Sequence, residues 1–112
     1  MNYFINSAER KASHSTQYHE FFPGEWDGES HWNRNSVYLH DDIFPRGLAR
    51  AIESVVEDYN YYGPTKITEN EWLNIGSAVK SEDEVSQAIY NEATEFLTEV
   101  FKNNDRFYIL GI

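Results

Sequence analysis

Residues 107–112, FYILGI, constrain this chain more than any other stretch. The run is apolar almost without a break, and such a strand is most easily buried on both faces in the middle of a sheet. Left exposed it would offer a sticky edge to other chains, so it has to be paired. The remaining residues must build a sheet around it and helices to cover that sheet.

Helical periodicity supplies the cover. Leu48, Ala51, Ile52, Val55, Val56 and Tyr59 fall at steps of three and four, with Arg50, Glu53, Glu57 and Asp58 off the stripe. That pattern predicts a first helix within residues 41–62, capped by Asp41 or Asp42. Pro45 suits only a first turn, Gly47 weakens the early turns enough for a short 3₁₀ turn there, and Gly63-Pro64 closes the region. A second helix over 70–79 carries Trp72, Leu73 and Ile75, capped by Thr68 or Asn70. A third opens on the capping box Ser81–Glu84 and runs to about Lys102 along Val85, Ala88, Ile89, Glu92/Ala93, Phe96, Leu97 and Val100.

Short β-rich runs supply the other strands: 2–6, 36–39 and 65–68. Residues 16–22 read either as a strand with Tyr18, Glu20 and Phe22 on one side or as a short helix. Residues 7–15 read as a loop or hairpin turn. After the Pro23-Gly24 breaker, residues 25–35 form a polar loop carrying Trp26 and Trp32, at least one of which packs on the core. The sum is one α+β domain over 1–112: a mostly antiparallel sheet, two or three helices on one face, the C-terminal strand central.

Nineteen acids oppose nine bases, a net charge of -10. A field of that sign repels nucleic acid and anionic membranes and attracts basic partners. Aromatics make up 16% of the residues, enough buried area for a core despite a mean hydropathy of -0.68. There is no cysteine, hence no disulfide and no thiol chemistry. No stretch approaches the ~20 apolar residues of a membrane span, and the first residues lack the hydrophobic run of a signal peptide. The expectation is a soluble cytoplasmic protein.

Catalytic patterns are weak. His14, His19, His31 and His40 match no zinc spacing. His40-Asp41-Asp42 is the most metal-like cluster, but neighbouring side chains point apart and the Asp pair already serves as a cap, so no metal is expected. No carboxylate pair stands out, no glycine loop cradles phosphate, and no serine has the company of a nucleophile. Arg10-Lys11 and Arg46 with Arg50 are small clusters in an acidic whole, too little for nucleic acid. What remains is acids interleaved with aromatics. Trp26, Trp32 and Tyr59 read first as core residues. Tyr61 and Tyr62, consecutive before a Gly-Pro turn, cannot both point inward, so one is a rim residue beside Asp58.

The segments FFPGEW, NSVYLHDDIF and YYGPTKITENEW, followed by a capped helix ending in FYILGI, give the chain a layout. That layout resembles the small acidic immunity proteins of contact-dependent growth inhibition and related polymorphic toxin systems. The resemblance implies an inhibitor rather than an enzyme, without cofactor. Its partner is a cognate toxin domain, a basic one and a nuclease above all, whose cationic cleft it covers as a polyanion mimic. Under that expectation the toxin-facing residues are Asp41, Asp42, Asp58, Tyr61, Tyr62, Glu69, Glu71 and Trp72. The alternatives are a ligand-binding or enzymatic domain with a pocket near Trp26, Trp32 and His40, or an adaptor docking through a sheet edge.

Overall fold

A computed structural model of the protein describes residues 3–46 and 48–111. Among them are five strands: β1 (Phe4–Asn6), β2 (Tyr18–Pro23), β3 (Val37–His40), β4 (Thr65–Thr68) and β5 (Arg106–Leu110). They form one antiparallel sheet in the order β1-β3-β2-β5-β4. The C-terminal strand is interior, as its composition requires, with β2 on one edge and β4 on the other. The middle place itself goes to β2. Asn2, Gly47 and Ile112, which figured in the expected elements, lie outside the described residues.

Alternation sorts the sheet into two faces. Phe4, Leu39, Val37, His19, Phe21, Ile109, Phe107 and Ile67 share the inner face through their register. Three helices close over it: α2 (Leu48–Val55), α3 (Glu69–Val79) and α4 (Glu84–Val100). The outer face carries Tyr18, Glu20, Phe22, Tyr38, Tyr108 and Leu110, and loop 24–36 folds over part of it. The α+β architecture expected from the sequence is the one observed.

Three local expectations are corrected. Residues 7–15 are mostly helical: α1 (Ser7–Ser13) starts on a capping box in which Asn6 accepts from the Glu9 amide and Glu9 accepts from that of Asn6. This fourth helix lies by the β1–β3 edge, its Arg10 reaching Trp32 on the outer face. The first long helix is also shorter than residues 41–62. A 3₁₀ turn (Phe44–Arg46) precedes it, as Gly47 suggested, and α2 begins only at Leu48, well past Asp41 and Asp42; Asp41 is taken by His19 and Tyr61. Tyr59, Tyr61 and Tyr62 lie in the turn after the helix. Lastly, α4 is capped by Asp83, whose carboxylate accepts from the Ser86 amide at 2.8 Å. Ser81 lies two residues before that cap and donates its hydroxyl to the Ala78 carbonyl at the exit of α3.

Candidate functional site

The site forms where the ends of β2 and β3 meet the turn that leads into β4. Strand alternation turns His19 inward next to Phe21, where it is fully buried. A buried imidazole needs a partner. Its Nε2 donates to Asp41 Oδ1 at 2.7 Å, and the Tyr61 hydroxyl donates to the same oxygen. Phe44 stacks on the imidazole at 4.2 Å and Tyr61 meets it edge-on at 5.0 Å. Sequence reading missed His19 and Phe44 as members of this cluster. The signal was present in the strand pattern, since an inward histidine beside an Asp pair asks for a bond between them.

The electrostatics follow from this geometry. Burial lowers the pKa of His19 below its ordinary 6.5, and the Asp41 bond recovers only part of the shift. Burial pulls the Asp41 carboxyl up, but the bonds from Tyr61 and His19 outweigh it and hold it below its ordinary value. Burial and the Asp41 bond push the Tyr61 hydroxyl up to about 12. At neutral pH His19 is therefore neutral, with its proton on Nε2. Its Nδ1 is buried without a hydrogen-bond partner among the described residues, so a second proton would find no acceptor among them.

A pH dependence follows, with a definite sign. The unfolded histidine takes its proton near pH 6.5, whereas the folded one, facing Asp41, His40 and Tyr61, takes it lower. Where the unfolded state binds more protons, stability rises with pH. The contribution of His19 is thus complete above about pH 6.5 and is lost as pH falls from there through the folded pKa. Urea unfolding at pH 7, 6 and 5 should show a steeper loss for the native protein than for His19→Gln, whose amide keeps a donor toward Asp41 but does not titrate. Parallel curves would remove this role.

The expected site residues divide. Asp41, Asp42, Tyr61 and Tyr62 come together as a lip around the His19 cluster. Asp42, its side chain 80% exposed, lies 3.5 Å from His40 Nδ1. Tyr62 is 70% exposed, its ring 5.2 Å from that of Tyr61. Asp58 and Glu71 belong elsewhere, lining a small hollow around Lys66, and Glu71 already completes the Thr68 capping box. Glu69 lies at another hollow, beside Leu73 and Lys102 between α3 and α4. Trp72 is corrected outright: it is 1% exposed, donates from Nε1 to Thr94 Oγ1 at 3.1 Å and stacks on Tyr90. It is a core residue with no rim to offer.

Tyr62 stands between two hollows. One, of about 500 Å³, is lined by Arg50, Glu53, Tyr59, Tyr61 and Tyr62 among others. The second, of about 530 Å³, opens on the outer face against Tyr18, Glu20, His31, Trp32, Tyr62 and Leu110. The backbone under Tyr62 is fixed by close approach. A Cβ added to Gly111 would fall 2.2 Å from the Tyr62 carbonyl carbon, and one on Gly63 would fall 2.1 Å from the Gly111 nitrogen. Both positions therefore need glycine, Gly63 also because its φ is +63°.

The wall of the outer hollow is built by a buried carboxylate. Glu20, 2% exposed, accepts from the amides of Trp32 and Asn33 at 2.7 and 2.8 Å and from Ser36 Oγ at 2.7 Å. These bonds hold Trp32 at φ +62°, a left-handed conformation that a bulky residue adopts only under constraint. Of the three residues expected around an alternative pocket, Trp32 alone lines this hollow. Trp26 leans on His31 and Tyr108, and His40 meets the edge of Tyr18 at 5.0 Å. Among the described residues no group of three His, Asp or Glu is placed to hold a metal, and no helix is long and apolar enough to cross a membrane.

No protein family, curated protein or solved structure matches the chain.

Proposed function

We propose that the protein is an immunity protein, a cytoplasmic inhibitor that binds a cognate basic toxin domain, a nuclease above all, and covers its cationic cleft. The observation that carries this reading is Tyr62: a large ring 70% exposed, against the Tyr61 ring that donates to Asp41, between two hollows, on a chain of net charge -10. Tyrosine is enriched among interface anchors, its ring apolar and its hydroxyl able to stay wet. The net charge draws a cationic domain in and speeds the encounter.

The contact surface is narrower than the sequence implied. It consists of Asp41, Asp42, Tyr61 and Tyr62, with Glu53 from the neighbouring hollow. Asp41 is a poor probe because it holds His19, so charge reversal belongs on Asp42 and Glu53, both exposed. Asp42→Lys with Glu53→Lys should slow association with the toxin domain encoded by the adjacent gene about tenfold at low salt, with little change in dissociation. The difference should shrink as salt screens it. An unchanged on-rate places the contact elsewhere, and neighbouring genes that encode only metabolic enzymes sink the toxin reading.

A further inference from the structure

The hollow between α2 and Tyr62 holds two donors from which no described residue accepts. At about 500 Å³ it lies in the ordinary range for binding sites, roughly 300–1,000 Å³, and Arg50, Glu53, Tyr59, Tyr61 and Tyr62 line it. Arg50 is the first donor. Residues three apart on a helix can pair across one turn. Yet the exposed Arg50 and Glu53 form no ion pair with each other or with another described residue. Asp83 feels the Arg50 charge, but its carboxylate is held below the ordinary pKa first by bonds from the Ser86 amide and hydroxyl, both at 2.8 Å. The second donor is the Tyr59 hydroxyl, buried without a hydrogen-bond partner among the described residues. Burial, with the charges of Tyr61, Glu53 and Asp41 around it, raises its pKa and keeps the proton in place. An unpaired buried hydroxyl lowers stability, so its place in a native fold asks for an explanation.

One class of group answers both. A guanidinium pairs with a carboxylate through two parallel N–H donors, and the same oxygens accept from a hydroxyl. A neutral carbonyl leaves the Arg50 charge unmet, and a phosphate brings nearly two negative charges against Glu53 on the same wall. Among the described residues lining the two hollows beside Tyr62, Arg50 is the one Lys or Arg. The net charge of -10 draws in cationic domains without distinction. A single unpaired cation on that surface favours a domain that sets an acid against it and repels one that sets a base there. Glu53, three positions on, is left to a basic neighbour of that acid.

We infer that Arg50 grips an aspartate or glutamate side chain of the basic partner in this hollow, and that the Tyr59 hydroxyl turns to the same carboxylate as it seats. Arg50 is then the residue that tells the cognate partner from other basic domains. This rests on reading the chain as an inhibitor of a basic toxin domain, and it deepens that reading by naming the partner group that the surface holds.

The test measures both rate constants against the toxin domain encoded by the adjacent gene. A polyanion mimic and nothing more would gain by losing a cation, so Arg50→Gln would associate faster and bind at least as tightly. With a carboxylate held by Arg50, the same variant should dissociate about tenfold faster or more, its on-rate unchanged or slightly raised. Arg50→Lys, which keeps the charge and loses the fork, should recover only part of that loss. Tyr59→Phe should weaken binding about threefold while its urea stability stays equal or rises, since the unpaired hydroxyl is gone. Changing one particular acid of the toxin domain to arginine should restore affinity for Arg50→Glu. Full affinity in Arg50→Gln overturns the inference and leaves the immunity reading standing. A loss in Arg50→Glu that no acid of the toxin domain rescues overturns it too. If the native protein does not bind the domain at all, the immunity reading falls and takes the inference with it.

Discussion

Trp72→Ala should lower the stability of the protein by about 3–5 kcal/mol, the usual cost of truncating a buried tryptophan. The indole is 1% exposed and sits where α3, α4 and the sheet meet. It stacks on Tyr90 at 4.5 Å, meets Phe107 edge-on at 5.5 Å and donates to Thr94. Tyr90 closes the circuit by donating to the Trp72 carbonyl at 2.9 Å, and it lies so near Gly76 that an added Cβ there would fall 2.4 Å from its hydroxyl. A seam packed this closely cannot collapse into the space an indole leaves, so the cavity persists and the full penalty is felt. Urea unfolding of the variant reads the loss directly. A loss under 1 kcal/mol would mean that the seam rests on other residues.

Glu20→Ala should cost about 2–4 kcal/mol, because it strands the Trp32 and Asn33 amides and the Ser36 hydroxyl together, each unpaired buried donor costing about 1–3 kcal/mol. The sum stays below three full penalties because the loop reaches water once it loosens. Tyr38 would still donate to the Asn33 carbonyl at 2.6 Å, so one end of the loop stays tethered. Trp32 would lose the bond that keeps it left-handed and turn away. Amide exchange at Trp32 and Asn33, whose amides the carboxylate holds, should accelerate far more than at Phe21 or Val37. Glu20→Gln retains one acceptor and should lie between the two. Unchanged protection at Trp32 and Asn33 in the alanine variant would show that something other than this carboxylate holds the loop.

Elements with strong local signals were legible from the residues alone. Apolar period located α3 and α4 and composition put β5 inside the sheet, although Leu73 and Val85, counted in those apolar stripes, are exposed. Legibility failed where a side chain had two suitors. Asp41 fits a helix cap, and only the fold reveals that His19 and Tyr61, 22 and 20 residues away, claim it first. Ser81 fits a capping box as well as Asp83 fits a single cap, and the exit of α3 decides between them. The helix α1 was overlooked because none of its residues is buried, so it has no apolar stripe, although Asn6 and Glu9 spell its capping box. The candidate site was half visible for the same reason: Tyr61 and Tyr62 announce themselves by adjacency, whereas the wall formed by Tyr18 and Trp32 depends on sheet register and a buried carboxylate.

The placement of β5 between β2 and β4 also sets a clock. Tyr62 takes its position against the backbone of Gly111, so neither hollow is complete until β5 has paired. Inserting a strand between two others adds a search across distant parts of the chain. Both hollows therefore take shape late in folding, once β5 has paired with β2 and with β4.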